Sequence, residues 1–226
     1  MKKYLVIGNP IRHSLSHELH NYWIKENGID GIYNKEKLNK EDLKEIFLKI
    51  KNREINGANI TVPFKKDVIA YLDQLSLEAE KTQSVNTVYF KKDKILGHNT
   101  DINGFELAIK DANYNVEGKR VLILGAGGVV PSVIFALYKM KVLSVTISNR
   151  TKSKAENLKS LFNDLEIVDW GEVSNFDMII NATSIGLKKE DKLNLDFSKF
   201  QNSEFFYDII YNPKETNFLK DGKNLG

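Results

Sequence analysis

The chain of 226 residues contains no cysteine. Disulfide bonds, thiolate metal ligands and cysteine nucleophiles are therefore excluded, and nothing requires an oxidising compartment. Charge of one sign is also scarce, because 33 basic residues nearly balance 30 acidic ones and leave a formal net charge of +3. Since there is no long basic run to follow a polyphosphate, we do not expect nucleic acid as the main partner.

Long apolar segments are missing as well. No stretch approaches the roughly 20 apolar residues that cross a bilayer. The apolar run from Tyr4 to Ile7 is too short for a signal peptide. We therefore expect a cytoplasmic protein with no membrane partner. The chain also lacks low-complexity tracts, Pro-rich linkers and repeats.

Short apolar runs alternate with longer amphipathic segments, which is typical of a parallel sheet with helices on its faces. This pattern predicts an α/β fold, with elements in the first half as follows: strands near residues 4–8, 31–37, 57–60, 87–91 and 95–98, and helices near 16–26, 40–51 and 64–72. The alternation restarts after Asp101 with a helix near 102–113. We interpret that helix as a hinge between a domain of residues 1–101 and one of residues 102–226.

The apolar run 120–124 ends in a turn of small residues, Gly125, Ala126, Gly127 and Gly128. A helix is predicted directly after it, near 129–139. In a dinucleotide-binding turn the first glycine makes the tight bend, the second lets backbone approach pyrophosphate, and the helix N-terminus faces the anion. Val130 takes the third small position of that motif, so helix and strand cannot approach as closely there. The alternative is a glycine-rich bend that binds no ligand.

The next strand, predicted near 143–148, ends in Asn149, Arg150 and Thr151. NAD enzymes place an acid here to hold the ribose 2′-hydroxyl, whereas a cation suits a 2′-phosphate. The acid is absent, Arg150 offers a planar fork for phosphate, and Lys154 follows as a second cation. The segment therefore favours NADP(H) over NAD(H). The alternative is that Arg150 and Lys154 only solvate the start of a helix.

Lys65 and Asp101 lie upstream of the glycine turn. Lys65 follows Pro63 in the first turn of a predicted helix, and Asp101 follows a predicted strand at the start of the next helix. Both therefore fall at strand-to-helix junctions, and open α/β sheets bind ligands beyond the carboxyl ends of their strands. Ketone reduction needs a proton donor at oxygen, and a lysine beside a carboxylate can supply it. The pattern indicates an oxidoreductase with this acid-base dyad, unless Asp101 is only a helix cap and Lys65 only a surface residue.

Segments along nearly the whole chain carry a family resemblance. Each looks like one signature of the shikimate dehydrogenases, in the family's order: residues 8–16, 59–65, 85–87, 99–101, 125–129, 149–151, 181–186 and 208–213. The resemblance implies two α/β domains about a cleft, a mostly parallel substrate domain followed by a Rossmann-type dinucleotide-binding domain. It also implies reduction of 3-dehydroshikimate to shikimate with NADPH, a step of aromatic amino acid biosynthesis.

The resemblance also implies roles for individual residues. Catalysis falls to Lys65 and Asp101. Substrate binding falls to hydroxyl, amide and charged side chains: Ser14, Ser16, Thr61, Lys65, Asn86, Asp101 and Tyr211. Cofactor binding falls to the glycine turn, the phosphate clamp and a late apolar contact: Gly125, Ala126, Gly127, Gly128, Val129, Asn149, Arg150, Thr151 and Ile209. Lys154 joins this set as the second cation of the clamp, on the residue chemistry alone. His13 belongs to the loop that carries the two serines.

Further expectations concern the chain as a whole. The family continues past the position of Gly226 with helices and a substrate contact, so we expect weak substrate binding and a loose cleft without them. Two alternatives stay open, a quinate/shikimate dehydrogenase of broader substrate use and a nucleotide-binding homologue with impaired catalysis. We expect a monomer or a homodimer. His13, His17 and His20 lack an acid at the spacing of a zinc motif, so no metal site is predicted.

Overall fold

A computed structural model describes residues 1–12, 14–173, 175–200 and 204–225. The chain divides into two compact units, Met1–Asp101 and Ile102–Gly226. Within the described ranges, no helix combines the length and the apolar character needed to cross a bilayer. His13, which the sequence assigns to the serine loop, lies outside the described residues.

The first unit is built on a six-stranded sheet. Its strands are β1 (Lys2–Gly8), β2 (Gly31–Lys37), β3 (Gly57–Ile60), β4 (Gln74–Leu75), β5 (Thr87–Lys91) and β6 (Lys94–His98). Its α-helices are α1 (Ser16–Glu26), α2 (Leu43–Lys51) and α3 (Leu77–Thr82), with 3₁₀ helices at Lys40–Asp42 and Asp67–Tyr71. The order across the sheet is β2-β1-β3-β5-β6-β4.

Strand β5 runs against the other strands of this sheet. β1 is parallel to β2 and β3, and β4 is parallel to β6, whereas β5 is antiparallel to both β3 and β6. The register places Asn59 opposite Thr87 and Thr87 opposite His98. The carboxyl ends of β1, β3 and β6 and the amino end of β5 therefore meet at one end of the sheet. We call this end the first edge.

Helix α2 anchors the core of the first unit. Leu43, Ile46, Phe47 and Ile50 recur at helical spacing, and each is at most 4% exposed. They pack in one apolar cluster with strand residues such as Ile7. Full burial of each such side chain contributes roughly 1.5–3 kcal/mol. The periodicity therefore fixes which face of the helix covers the sheet.

The α-helix predicted near 64–72 is wrong. Residues 62–66 form turns, and the 3₁₀ helix Asp67–Tyr71 follows them. Most backbone hydrogen bonds in this segment reach only three residues back, which makes a tighter coil than an α-helix. Phe64 and Val68 are buried one helical turn apart, so they imitate the apolar pattern of an α-helix over a single turn.

The second unit contains a five-stranded sheet in which each described pair of neighbours is parallel. Its strands are β7 (Arg120–Leu124), β8 (Ser144–Ser148), β9 (Glu166–Val168), β10 (Met178–Asn181) and β11 (Phe205–Asp208). Its helices are α4 (Asp101–Asp111), α5 (Val130–Lys139), α6 (Lys152–Lys159) and α7 (Asn217–Lys223), with a 3₁₀ helix at Phe197–Lys199. Only the first residue of α4, Asp101, belongs to the first unit.

Strand β7 lies at the centre of the second sheet and is buried on both faces. Val121 and Ile123 pack in one apolar cluster, and Leu122 and Leu124 in another that includes Phe218 of α7. A parallel strand between two helix layers is a continuous apolar run for this reason. The sheet order β11-β10-β7-β8-β9 reverses direction at β7. Ligands of such sheets bind beyond the carboxyl ends of strands at this reversal, which we call the second edge.

Candidate active site

Lys65 and Asp101 form an ion pair at the first edge. Lys65 Nζ lies 2.7 Å from Asp101 Oδ2, although the residues are 36 positions apart in the chain. Their side chains are 10% and 24% exposed, respectively. Attraction between charges increases as water is withdrawn from around them. The structure thus brings together the two residues of the predicted dyad and leaves part of the aspartate accessible.

Asn86 completes the polar group around the aspartate. Its Nδ2 donates to Asp101 Oδ1 at 2.7 Å and to Thr100 Oγ1 at 2.8 Å. Its Oδ1 accepts from the backbone N–H of Thr100 at 2.9 Å. Asn86 directly precedes β5, whose reversed direction brings this amide to the first edge. Both carboxylate oxygens of Asp101 therefore have a donor from another segment.

The sequence pattern predicts Lys65 in the first turn of a helix. In the structure, Lys65 lies instead in a turn between β3 and the 3₁₀ helix Asp67–Tyr71. The backbone N–H of Val85 donates to Lys65 O at 2.9 Å, and the neighbouring Phe64 is 2% exposed. Because the α-helix predicted near 64–72 does not form, the Lys65 ammonium group is not opposed by the dipole of that helix. The lysine is instead positioned by packing and by a backbone bond to the segment that carries Asn86.

The loop with the two serines begins at the same edge, where β1 ends. Ser14 Oγ donates to Ser16 Oγ at 3.1 Å, and Ser16 N–H donates to Ser14 Oγ at 3.3 Å. A Cβ at Gly8 would overlap the methyl group of Thr61 and stand 2.9 Å from Val62 O. Glycine therefore lets β1 end against the segment that follows β3. This contact brings the start of the serine loop beside Thr61.

The glycine turn lies at the second edge. Gly125 has φ of +111°, and a Cβ there would stand 2.8 Å from Ala182 O, the residue after β10. Gly127 and Gly128 are exposed, while Ala126 and Val129 are half-buried. The turn presents backbone directly before the N-terminus of α5, a position that suits an anion.

The predicted phosphate clamp follows β8, the neighbour of β7 in the sheet. Asn149 Nδ2 donates to Thr151 O at 2.7 Å and so closes a short loop around Arg150. Thr151 precedes the first residue of α6, and Lys154 lies in the first turn of that helix. Arg150, Thr151 and Lys154 are all exposed. Two accessible cations therefore stand at the carboxyl end of β8.

A buried polar network lies at the ends of β10 and β11, and the sequence patterns assign no individual role to its residues. Asn181 is 0% exposed and donates from Nδ2 to both oxygens of Asp208, at 3.2 and 3.1 Å. Thr216 Oγ1 donates to Asp208 Oδ2 at 2.6 Å, and Ile210 N–H donates to Oδ1 at 2.9 Å. Burial raises the pKa of the Asp208 carboxyl, while these donors act in the opposite direction. A polar residue at the end of an apolar strand is the signal that could have identified Asn181.

The remaining predicted residues lie beyond β11. Ile209 N–H donates to Asn181 O at 3.0 Å, and its side chain packs against the apolar cluster around β7. Tyr211 is 62% exposed.

In the first unit, His20 stacks on Tyr33 with ring centroids 4.3 Å apart, which gives this histidine a packing role.

Two family descriptions match the chain in order. Residues 6–88 match the shikimate dehydrogenase substrate binding domain, and residues 106–215 match shikimate / quinate 5-dehydrogenase. A shikimate dehydrogenase (NADP(+)) of Pelagibacter ubique is 54% identical over 225 residues, which cover 100% of this chain and 85% of that protein. The chain belongs to the shikimate dehydrogenase family. The family membership predicted from the sequence is thus confirmed.

Solved structures of shikimate dehydrogenases agree with this assignment. The enzyme of Aquifex aeolicus superposes with a TM-score of 0.92 at 39% identity, covering 100% of this chain and 84% of that one. The enzyme of Thermus thermophilus, solved with NADP(H) and shikimate, has a TM-score of 0.90 at 32% identity and coverage of 100% and 85%. The predicted α/β fold class, with its parallel dinucleotide-type second sheet, is confirmed.

Proposed function

We propose that this chain reduces 3-dehydroshikimate to shikimate with NADPH, and that Lys65 and Asp101 manage the proton. Residues 1–101 bind substrate, and residues 102–226 bind the cofactor. The observation that carries this proposal is the Lys65–Asp101 ion pair at the first edge, in a chain that belongs to the shikimate dehydrogenase family. The solved relative that holds both NADP(H) and shikimate supports the same substrate and cofactor.

The dyad suits proton transfer at a carbonyl oxygen. Reduction adds hydride to the carbonyl carbon, and the oxygen must receive a proton as its negative charge develops. Lys65 Nζ donates that proton, and Asp101 holds the ammonium group in place through its 2.7 Å contact. In the oxidation direction, the same amine accepts the proton from the substrate hydroxyl. A positioned acid or base of this kind contributes roughly 10²- to 10⁴-fold to the rate.

The other polar groups of the first unit suit the rest of the substrate. Ser14 and Ser16 offer hydroxyl donors to a carboxylate without adding charge, and Thr61 and Asn86 offer groups for ring hydroxyls. A site built to bond several hydroxyl groups rejects analogues that lack them, because its own donors and acceptors would stay unpaired.

The second edge fits a dinucleotide with a 2′-phosphate. The positive φ of Gly125 and its approach to Ala182 leave the turn open to pyrophosphate, and the N-terminus of α5 follows. Asn149, Arg150, Thr151 and Lys154 would hold the 2′-phosphate by charge and hydrogen bonds, and Ile209 offers an apolar contact. When bound, NADPH supplies the hydride. The chain's own residues bind and orient it.

The direct test is an assay of the purified chain with shikimate and NADP⁺. We expect absorbance at the reduced-nicotinamide band to rise with shikimate and to stay flat without it. NADP⁺ should be used better than NAD⁺, because the end of β8 carries cations and no acid. A flat trace with shikimate would contradict the proposal, and equal use of NAD⁺ would contradict the role of the clamp.

A quinate/shikimate dehydrogenase is the second candidate, since the family description matched by residues 106–215 names both compounds. A comparison of kcat/KM for shikimate and quinate separates the two. Comparable values would favour the broader enzyme, and a strong preference for shikimate would exclude it.

A further inference from the structure

Asn99 is a buried amide two residues before the catalytic aspartate. It is 0% exposed, and its Oδ1 accepts from the backbone N–H of Asp101 at 3.0 Å. Its Nδ2 donates to Ser84 O at 2.8 Å and to Thr82 Oγ1 at 3.3 Å. Thr82 and Ser84 are themselves at most 2% exposed. A buried amide bonded at both ends fixes the geometry of the groups around it.

The backbone N–H groups at the start of helix α4 bond the amide side chains of other residues. An aspartate at the start of a helix commonly uses its own carboxylate to accept from nearby backbone N–H groups. Here the Thr100 N–H donates to Asn86 Oδ1 at 2.9 Å, and the Asp101 N–H donates to Asn99 Oδ1. The Asp101 carboxylate accepts instead from Lys65 and Asn86.

We propose that Asn99 is a positioning residue for the reaction. By bonding the Asp101 backbone N–H, its amide oxygen fixes the backbone from which the Asp101 carboxylate reaches Lys65. This inference rests on the proposed function, because it assigns Asn99 a role through the dyad.

Residues 84–86 connect Asn99 and Asp101 to Lys65. Ser84 O accepts from Asn99, Val85 N–H donates to Lys65 O at 2.9 Å, and Asn86 bonds the Asp101 carboxylate. The backbones of both dyad residues are therefore tied to the same short segment. Removal of the Asn99 amide would free the aspartate end of this arrangement and leave the lysine end in place.

Asn99→Ala and Asn99→Ser form a matched pair for the test. Both lose the bonds to Ser84 and Thr82, but a serine hydroxyl can still accept from the N–H two residues on. We expect Asn99→Ala to lower kcat for shikimate oxidation by about 10- to 100-fold, because small displacements of reacting groups cost that much. The KM for shikimate should change much less, and Asn99→Ser should recover part of kcat.

A further readout distinguishes positioning from a loss of stability. In Asn99→Ala, the backbone amide of Asp101 should exchange its hydrogen with solvent faster, because it loses its acceptor. The control is Ile50→Ala in the core of α2, a residue that is 0% exposed and packs in the apolar cluster of the first unit. At an equal loss of Tm, this control should keep its kcat and its exchange rate at Asp101.

Some results would overturn the inference. One such result is a kcat for Asn99→Ala that equals the kcat of Ile50→Ala at matched Tm. Another is an equal loss of kcat in Asn99→Ala and Asn99→Ser. If Asn99→Ala does not fold, Asn99→Ser is compared with Ile50→Ala in the same way. If the unaltered chain does not oxidise shikimate, the proposed function fails. Crystal structures of the variants then decide: loss of the Lys65–Asp101 contact in the alanine variant alone supports positioning, and an unchanged contact refutes it.

Discussion

The two edges of this protein present different kinds of chemical group. At the first edge, buried or half-buried side chains bond one another, as in the contacts among Lys65, Asp101 and Asn86. At the second edge, the turn at Gly125 offers backbone, and exposed cations such as Arg150 offer charge. Side-chain networks fix the position of single atoms, whereas backbone and exposed charge hold an extended anion. Substitutions at the first edge should therefore change turnover, and those at the second should change cofactor affinity.

The largest effect is expected at the dyad. Lys65→Ala and Asp101→Asn should each lower kcat by roughly 10²- to 10⁴-fold, because the proton transfer loses its positioned group. The Kd for NADP⁺ should stay close to that of the unaltered chain, as the cofactor residues belong to the second unit. Stopped-flow turnover and a fluorescence titration measure the two quantities.

Neighbouring charges provide matched controls for the dyad. Lys66→Ala removes an exposed ammonium beside Lys65, and Asp111→Asn removes an exposed carboxylate at the other end of α4. Both controls should keep kcat. Near-normal turnover in Lys65→Ala or Asp101→Asn would refute the dyad.

The next effect is expected at Gly125. Gly125→Ala places a Cβ 2.8 Å from Ala182 O at a φ of +111°, so the turn must shift. Strain at such a position costs about 1–3 kcal/mol, and we expect weaker NADP⁺ binding together with a lower Tm. Gly104→Ala in α4 is the matched control, since its Cβ meets nothing within 4 Å and alanine favours a helix. If Gly125→Ala bound NADP⁺ normally, this turn would not be the phosphate site.

A smaller and selective effect is expected at Arg150. Arg150→Gln should raise the KM for NADPH by about 10-fold, the equivalent of one charge-assisted hydrogen bond. The KM for NADH should hardly change, because NADH has no 2′-phosphate. Lys159→Gln at the far end of α6 removes a charge from the same helix and should alter neither value. An equal rise for both cofactors would place Arg150 elsewhere than at the 2′-phosphate.

The smallest effect concerns pH and stability. Because burial raises the pKa of Asp208 above its ordinary value of 3.8, its contribution to stability is full below that value and is lost as pH rises through the folded pKa. The Tm difference between the unaltered chain and Asp208→Asn should therefore shrink as pH increases. Thermal melts at several pH values measure this difference.

Asp177 offers a comparison of opposite sign. A backbone N–H from Arg120 lowers the pKa of the Asp177 carboxyl, so its contribution is present above the ordinary value and is lost on acidification. The Tm difference for Asp177→Asn should therefore grow as pH rises. If both variants followed the same trend, the buried network at Asp208 would not have the assigned electrostatics.

Part of the secondary structure was predictable from the sequence, and part was not. The predicted bounds for α1 and for strands β2, β3, β5 and β7 match the structure, and β7 shows why most clearly, since its continuous apolar run is typical of a buried parallel strand. Elements of two and six residues, β4 and α3, offer too few positions for a period to appear. The segment 64–72 misled because Phe64 and Val68 are buried one helical turn apart, although a turn carries the first and a 3₁₀ helix the second.

The candidate site follows a similar division. Lys65 and Asp101 were predicted from their positions after strands and from the family resemblance, and the structure places their side chains in contact. The roles of Asn99 and Asp208 were not identifiable, since each depends on hydrogen bonds between distant segments. Single-residue patterns contain no information on which buried amide bonds which carbonyl.

The reversed course of β5 also determines where this protein tolerates change. Its hairpin with β6 turns at Lys92 and Asp93, both with positive φ, at the opposite end of the sheet from the dyad. A peptide tag or reporter inserted between these two residues would extend an exposed turn and leave the strand ends beside Asn86 and Asp101 in register. Strand β5 thus brings the Asn86 amide to Asp101 at one end and provides a site for labelling at the other.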